Sequence, residues 1–292
     1  MRFCICLLAL TFLCLSNASL FAQKNISVNS PDKSISVKIQ HTTEGTLLYG
    51  VTYKGKKVIQ PSTLGFALNS PKALLNKFTI VAVDSSAVDE TWKPVWGEVS
   101  IIRNNYKELT VKLKDKSGSG ILLNVIFRVF NDGVGFRYEF PKQRSLTYFI
   151  IANEQTQFAL TGNHKTFWIP GDFDTNEQLY TTSKLSEVDA WKSDMVSVGD
   201  KKLNVPDQYA VQTPLMMKTA DGLYINIHEA ALVNYPAMQL HVNRSTFSLT
   251  SNLVPDAAGN KAYLRTPAVT PWRTIIVSDK ATEILSSKMI LN

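Results

Sequence analysis

Cysteine is almost absent from this sequence of 292 residues. The three cysteines, Cys4, Cys6 and Cys14, all lie in the first 22 residues. The rest of the chain can therefore form neither a disulfide bond nor a thiolate metal site. A chain of this length can bury a core large enough to be stable without such covalent links.

The motifs of several enzyme and binding classes are also missing. The chain has no Gly-x-Ser-x-Gly elbow, no phosphate-binding loop and no dinucleotide fingerprint. The histidines, at positions 41, 164, 228 and 241, show no pair at the spacing of zinc ligands. The 31 Lys and Arg residues give a net charge of +7, but they are scattered along the chain. Nucleic-acid binding requires a basic stripe, so the sequence argues against it.

One long apolar run occurs, at the start of the chain. Residues 3–15 are predominantly apolar, Arg2 precedes them, and small and polar residues follow. A membrane-spanning helix needs about 20 apolar residues, so an uncleaved anchor is the weaker alternative. The pattern predicts a secretory signal peptide over residues 1–22, with cleavage after Ala22. We therefore expect an exported, periplasmic protein with a mature part over residues 23–292 and no membrane attachment.

Alternation of apolar and polar residues dominates the remaining sequence. Residues 35–39 alternate in this way, and so do residues 109–113. The clearest case is residues 123–129 and 134–140, which keep the same phase on both sides of Asn-Asp-Gly at 131–133. A period of two is typical of strands with one buried face, and this turn sequence predicts a β-hairpin.

Helical periodicity is nearly absent. Only residues 279–286 predict a short helix, with Ser278 as its N-cap. No internal repeat and no Pro- or Ser-rich linker divides the chain. The sequence therefore predicts an all-β fold, a single large antiparallel sandwich over residues 23–292. A (β/α)₈ barrel, which needs roughly 250 residues of alternating strand and helix, is excluded.

Residues 171–209 interrupt the strand pattern with a long, polar, irregular segment. Such connections are usually functional or disordered, and we expect residues 189–206 to be mobile. Asp172, Asp174 and Glu177 place three carboxylates near its start. Calcium takes about six to eight oxygen ligands, so these acids are candidate ligands, although a loop of solvated acids is commoner.

Two other groups of residues are candidates for chemistry. Trp92 and Trp96 lie among acids at 89, 90 and 98, a combination that suits sugar binding. The alternative is that the tryptophans close one end of the sandwich or pack in an interface. His228 and Glu229 follow an apolar strand and could form an acid-base pair. A buried, hydrogen-bonded histidine is the more common role for such a residue.

Six long sequence blocks, in this order, resemble one known family: DETWKPVWGE (89–98), RNNYKEL (103–109), FRVFNDGVGFRYEF (127–140), WIPGDFD (168–174), DGLYINIHEAAL (221–232) and TPWRTIIVSD (270–279). They are similar to the N-terminal domain of glycoside hydrolase family 97. The resemblance extends over essentially all of the chain from about residue 24.

The resemblance implies a β-supersandwich followed, in full-length members, by a catalytic (β/α)₈ barrel and a small β-domain. Similar members are calcium-dependent, exported α-glucosidases or α-galactosidases acting on α-linked glycans. Their catalytic carboxylates lie on the barrel, so no catalytic residue is assigned to this chain. Glu177 aligns with the glutamate that reaches from the N-terminal domain to ligate the calcium ion.

Three functional hypotheses follow. The first is a non-catalytic N-terminal domain that packs on the barrel and completes its calcium-containing active site through Glu177. On its own, one carboxylate would not give useful calcium affinity. The second is a carbohydrate-binding module with Trp92 and Trp96 as its platform. The third, an enzyme with unfamiliar chemistry at His228 and Glu229, lacks a visible nucleophile-base arrangement.

Overall fold

The structure, a computed structural model, describes residues 26–193 and 203–292. The predicted signal peptide, residues 1–22, lies outside the described residues. Within the described residues there is one α-helix, α1 (Ala281–Ser286), with 3₁₀ turns at Leu185–Glu187, Ala190–Lys192 and Met289–Leu291. None of these helical segments is long and apolar enough to cross a membrane.

Strands account for most of the ordered backbone. The first eleven are β1 (Ile26–Asn29), β2 (Ile35–His41), β3 (Leu47–Tyr53), β4 (Lys56–Thr63), β5 (Phe66–Ser70), β6 (Ala73–Leu75), β7 (Phe78–Trp92), β8 (Ile102–Asp115), β9 (Leu122–Val129), β10 (Gly133–Phe140) and β11 (Tyr148–Glu154). The others are β12 (Gln157–Leu160), β13 (Lys165–Trp168), β14 (Thr181–Lys184), β15 (Ala210–Val211), β16 (Leu215–Lys218), β17 (Tyr224–Ala230), β18 (Met238–Asn243), β19 (Ser248–Leu253), β20 (Ala262–Arg265), β21 (Ala268–Val269) and β22 (Trp272–Ser278).

The strands form three antiparallel sheets, which confirms the predicted all-β class. An 8-stranded sheet has the order β1-β2-β3-β4-β12-β19-β18-β15. A 10-stranded sheet has the order β14-β13-β16-β17-β22-β10-β9-β8-β7, with β21 paired to β10. A 4-stranded sheet has the order β20-β11-β5-β6. Because sequence neighbours such as β4 and β5 belong to different sheets, the connections tie the layers together.

The predicted hairpin is formed by β9 and β10, with Val134 opposite Val129. Gly133, the last residue of the predicted turn, packs tightly against strand β22. A Cβ atom at this position would lie 2.6 Å from the carbonyl oxygen of Ile275, so a larger residue would push the two strands apart. Gly133 therefore serves both the turn of the hairpin and the close contact between β10 and β22.

The core lies between the sheets and is rich in aromatic side chains. Tyr49 of the 8-stranded sheet packs on Phe136 of the 10-stranded sheet, with ring centres 5.0 Å apart. Phe66 of the 4-stranded sheet meets Tyr138, two residues further along β10, at 4.6 Å. Strand β10 thus contributes to the packing of all three sheets, and burial of these rings is a main source of stability.

A buried ion cluster joins the same sheets. Arg273 of β22 binds Glu154 of β11 through two hydrogen bonds of 2.9 and 2.7 Å, and Glu229 of β17 through one of 2.6 Å. The second oxygen of Glu229 accepts a bond of 3.0 Å from the backbone N–H of Met238, the first residue of β18. The hydroxyl of Tyr235 donates to Glu154 at 2.9 Å. Arg273 and its two carboxylates together therefore connect strands from all three sheets.

The pKa values of the two carboxylates in this cluster are shifted in opposite directions. Burial alone would raise the pKa of Glu154, but attraction to Arg273 and the hydrogen bonds it accepts outweigh burial and hold that pKa below its ordinary value. Burial raises the pKa of Glu229, and its contact with Arg273 only partly offsets this. Glu154 is thus the principal counter-ion of Arg273.

One local expectation differs from the structure. The C-terminal helix begins at Ala281, two residues later than predicted, because the Ser278 hydroxyl accepts the N–H of Lys280 at 3.0 Å and forms a turn before the helix. The mobility of residues 189–206 stays a prediction, and the described ends of this segment are hydrogen-bonded to each other. The Trp191 indole N–H donates to the Val205 carbonyl at 3.0 Å. Residues 194–202 lie outside the described residues.

Replacing Arg273 by Met should lower the free energy of unfolding by about 3–5 kcal/mol, because two buried carboxylates would lose their counter-ion. Urea unfolding followed by tryptophan fluorescence measures this change. Arg103→Met is the control, since Arg103 forms an exposed ion pair with Asp89, and it should leave the urea midpoint unchanged. Equal midpoints for wild type and Arg273→Met would contradict the stabilising role of the cluster.

Candidate functional site

The loop that carries Glu177 begins where the chain leaves β13 and passes close to β15. The N–H of Gly171 donates to the carbonyl of Ala210 at 2.9 Å. A Cβ atom at Gly171 would lie 2.7 Å from both the Ala210 Cβ and the Gln239 side-chain oxygen. Only glycine fits this close approach, which fixes the start of the loop against the 8-stranded sheet.

Two buried side-chain amides then hold the loop backbone. The Nε2 group of Gln212 donates to the carbonyls of Asp172 and Thr175, at 2.6 and 3.2 Å. The Nε2 group of Gln239 donates to the same Asp172 carbonyl at 2.7 Å. The carbonyls of an irregular loop have no partner in a neighbouring strand. Buried backbone carbonyls need a hydrogen-bond donor, and these two amides provide it. The segment before Glu177 is therefore anchored without regular secondary structure.

The three carboxylates predicted as a group have different roles. Asp172 is buried, and its Oδ1 accepts the N–H of Asp174 at 2.9 Å. Asp174 in turn accepts a bond of 3.2 Å from the side-chain amide of Asn204. Glu177 is exposed, and within the described residues its carboxylate has neither a hydrogen bond nor an ion pair. Of the three, Glu177 alone is exposed with both carboxylate oxygens free within the described residues.

The loop offers one metal ligand rather than a complete metal site. Among residues 26–193 and 203–292, no group of three or more His, Cys, Asp or Glu side chains could hold a metal ion. A carboxylate gives at most two of the about six to eight oxygens that calcium takes. The exposed, unpaired Glu177 fits the role of one ligand in a site whose other ligands come from elsewhere.

A groove of about 300 Å³ lies beside this loop. Asn176, the residue before Glu177, lines it together with His228 and Leu232. Several apolar side chains of the loop and of the β17–β18 connection are exposed, with Val233 at 69%. We call these the apolar rim: Leu179, Tyr180, Leu232 and Val233. Exposed apolar residues next to a groove are typical of a surface that receives a partner.

His228 and Glu229 do not form an acid-base pair. Consecutive residues of a strand point to opposite faces, so Glu229 enters the Arg273 cluster while His228 points away from the core. The Nδ1 atom of His228 is buried and has no hydrogen-bond partner within the described part of the chain. The expected hydrogen-bonded histidine is therefore not found either. Burial lowers the pKa of His228, which favours the neutral imidazole.

The two tryptophans of the β7–β8 hairpin have different surroundings. The Trp92 indole N–H donates to the side-chain oxygen of Asn292 at 2.9 Å. Trp96 is 86% exposed, so it does not close an end of the sandwich. Of the acids beside them, Asp89 binds Arg103 and Glu90 accepts the Asn104 amide, whereas Glu98 is exposed, with the Lys288 ammonium 3.9 Å away. Asp89 and Glu90 are therefore less available for sugar hydroxyls than the sequence suggests.

Comparisons with known proteins agree with the geometry of the fold. The sequence matches the family described as Glycosyl-hydrolase 97 N-terminal over residues 28–292. It is 27% identical to a retaining alpha-galactosidase of Bacteroides thetaiotaomicron over 261 residues, covering 84% of this chain and 35% of that protein. The chain therefore spans about a third of the length of this curated relative.

Solved structures show the same relationship. A glycoside hydrolase family 97 enzyme from Pseudoalteromonas sp. strain K8, in complex with acarbose, superposes with a TM-score of 0.79 and 32% identity. The match covers 91% of this chain and 38% of that enzyme. A beta-arabinopyranosidase shares the fold at 21% identity, with a TM-score of 0.75 and coverage of 91% and 42%.

Two histidines, the buried His164 and the half-buried His228, should make stability depend on pH. Burial lowers the pKa values of His164 and His228 below the ordinary value of about 6.5. The unfolded chain therefore binds protons that the folded chain does not, and the free energy of unfolding should fall as the pH drops from about 7 to about 5. His228→Gln should make this fall shallower. Urea titrations at several pH values measure the slope, and an unchanged slope would contradict this assignment.

Proposed function

Since this chain belongs to the glycosyl-hydrolase 97 N-terminal family, we propose that it packs against a catalytic domain and completes the active site there. The observation that carries this proposal is Glu177, an exposed and unpaired carboxylate on a loop held by two buried amides. An ordered carboxylate that the domain itself does not use is suited to a ligand outside the domain. The anchoring of the loop supports a role that requires a defined position.

The ligand we propose for Glu177 is a calcium ion shared with the catalytic domain. A bound calcium ion would supply positive charge at the junction of the two domains. Glu177 would provide one or two oxygens, and the catalytic domain the others. Within this chain, Gln212 and Gln239 orient the loop by binding the carbonyl of Asp172.

The apolar rim gives the docking its second source of affinity. Leu179, Tyr180, Leu232 and Val233 are exposed, and Leu232 lines the same groove as Asn176. Their removal from water would contribute about 25 cal/mol for each Å² of apolar surface buried. Glu177 and the apolar rim contribute in different ways. The rim excludes water from the junction of the two domains, while Glu177 fixes their relative orientation.

The reaction of the whole protein is proposed to be hydrolysis of α-linked glycans such as α-glucosides or α-galactosides, following export to the periplasm. Glycoside hydrolysis uses two carboxylates that flank the scissile bond. Asp89, Glu90, Glu154 and Glu229 are already engaged by Arg103, Asn104 and Arg273. We therefore assign the catalytic carboxylates to the catalytic domain.

A carbohydrate-binding module is the second candidate, and the exposed ring of Trp96 is the observation that favours it. Sugar sites combine an aromatic face with polar side chains that are free to bind hydroxyl groups. At this hairpin Asp89 and Glu90 already have protein partners. The Glu177 loop consequently gives the better-supported function.

The purified mature chain should not hydrolyse p-nitrophenyl α-glucoside or α-galactoside, with or without added calcium. Hydrolysis of a glycosidic bond needs two carboxylates that flank it, and we assign both to another domain. Release of p-nitrophenol, followed by absorbance, measures the reaction. Turnover that depends on calcium would reveal a carboxylate pair within the sandwich and would overturn the proposal.

Glu177 is tested by a domain exchange in which this chain replaces the N-terminal domain of the Pseudoalteromonas enzyme. Glu177→Gln keeps the size of the side chain but removes its charge, so the affinity for calcium should fall about tenfold or more. Calorimetric titration with calcium measures this affinity. Asp174→Asn is the matched control on the same loop, because Asp174 is bound to Asn204. Equal affinities for the exchanged protein and its Glu177→Gln variant would refute the ligand role.

A further inference from the structure

A second groove lies where the end of the irregular segment 171–209 meets the β18–β19 hairpin. Its volume is about 530 Å³, within the range of about 300–1,000 Å³ that is typical of small-molecule sites. Ser186 and Tyr209 line it from the irregular segment, and residues 241–245 line it from the hairpin. Among the described residues, it shares no lining residue with the groove beside Glu177. We call it the Arg244 groove.

The guanidinium of Arg244 is held in a defined position at this groove. Its Nε–H donates to the carbonyl of Ser186 at 2.6 Å, and the group stacks on the Tyr209 ring at 5.2 Å. Ser186 is itself fixed, because its N–H donates to the side-chain oxygen of Asn163 at 3.0 Å. Within the described residues, the two terminal nitrogens of Arg244 have no hydrogen-bond partner. A guanidinium held in this way loses little side-chain entropy when it binds a ligand.

Asp207 fixes the two rings that line the same groove. One of its carboxylate oxygens accepts the backbone N–H of Tyr209 at 2.9 Å, and the other lies 2.7 Å from Nδ1 of His241. The two rings meet edge to face, with their centres 6.3 Å apart. The His241 side chain is 43% exposed, so the groove is open to solvent. Because Nδ1 is bound to Asp207, Nε2 is the nitrogen of His241 that remains for a ligand.

The Arg244 groove has a permanent cation but no anion among its lining residues. In the part of the chain that the structure describes, no carboxylate lies within 4.0 Å of Arg244, and no Asp or Glu lines the groove. The nearby Asp207 is bound to His241. A guanidinium with free terminal nitrogens forms two parallel hydrogen bonds with a carboxylate or a phosphate group. The charge of the groove therefore favours an oxyanion.

The other lining side chains suit the hydroxyl groups of a sugar. Oδ1 of Asn243 accepts the N–H groups of Ser245 and Thr246, at 3.1 and 3.0 Å. The Nδ2 group of Asn243 and the hydroxyl of Ser245 have no partner among residues 26–193 and 203–292. An amide and a hydroxyl can both form hydrogen bonds with hydroxyl groups. A volume of about 530 Å³ is larger than one oxyanion needs, so a sugar ring can lie beside Arg244.

We propose that the Arg244 groove binds an acidic sugar, one that carries a carboxylate or a phosphate group. Arg244 binds the oxyanion, while His241, Asn243 and Ser245 bind hydroxyl groups of the ring. The proposal does not rest on the docking of a catalytic domain, because neither Glu177 nor the apolar rim takes part. The domain would thus hold an acidic glycan by itself.

Glucuronate and glucose 6-phosphate are the probes for this site, and glucose, which has the same ring without the charge, is the control. The purified chain is titrated with each sugar at constant ionic strength, while the backbone amide signals of residues 242–245 are followed by NMR. We expect these signals to saturate with an acidic sugar at an affinity about tenfold or more above that for glucose. No saturation with either acidic sugar, or an equal affinity for glucose, would overturn the proposal.

Variants locate the site. Arg244→Gln removes the charge, so the affinity for the acidic sugar should fall about tenfold or more. Arg244→Lys keeps the charge but not the planar fork, so part of the affinity should remain. Arg265→Gln is the control and should have no effect, because Arg265 stacks on Tyr148 outside the groove. An Arg244→Gln variant with the wild-type urea midpoint and unchanged affinity would refute the site.

Ser245→Ala provides a test that does not depend on the folding of the Arg244 variants. Ser245 is exposed, so the urea midpoint should stay at the wild-type value. The loss of one neutral hydrogen bond should lower the affinity for the acidic sugar about fivefold. An unchanged affinity would show that the ring does not lie beside Ser245, which contradicts the proposed position of the sugar.

Other ligands give different results. Inorganic phosphate that binds as tightly as glucose 6-phosphate would identify a free anion as the ligand and would overturn the assignment to a sugar. Dimers in sedimentation that are lost in Arg244→Gln would identify a carboxylate of a second copy of this chain and would overturn it equally. Glu177→Gln should leave the binding of the acidic sugar unchanged. The results at Arg244 and at Glu177 in the domain exchange are therefore separate.

Discussion

The ion cluster around Arg273 is the constraint on which the arrangement of this domain depends. A buried guanidinium is tolerated only where carboxylates neutralise it, and here they come from two different sheets. Arg273 and Glu229 share the 10-stranded sheet, whereas Glu154 ends a strand of the 4-stranded sheet. The sheets cannot shift past one another without separating these charges. Apolar packing alone would tolerate such a shift more easily, since it has no direction.

The cluster also positions the functional loop through a short series of contacts. Glu229 accepts the N–H of Met238, which fixes the start of β18. Gln239, the next residue, donates its amide to the carbonyl of Asp172 at the base of the loop. The loop that carries Glu177 is therefore connected to Arg273 through hydrogen bonds rather than through regular secondary structure. An irregular loop can hold a carboxylate in place only when its backbone is bound in this way.

The strands could be predicted from the sequence because a period of two is a local property. The β9–β10 hairpin needed only alternating residues on both sides of a turn.

The acids near Glu177 could also be found in the sequence, but their roles could not, since Asp172 and Asp174 are used within the protein. Gln212 and Gln239 lie 40 and 67 residues from Asp172. Only the order of strands in the sheets brings them together, and nothing local in the sequence specifies that order. The role of Glu177 came from family resemblance rather than from spacing.

The carboxylates of this domain differ in whether the chain itself supplies their partners. In the core, Glu154 accepts bonds from Arg273, Thr156 and Tyr235, so a charge at the centre of the fold is fully satisfied. Glu177 is exposed instead, on a loop held by Gln212 and Gln239, and its carboxylate has no partner within the described residues. This contrast is expected where Glu177 serves a second domain, because each domain then satisfies its core alone and its interface only when the two domains are in contact.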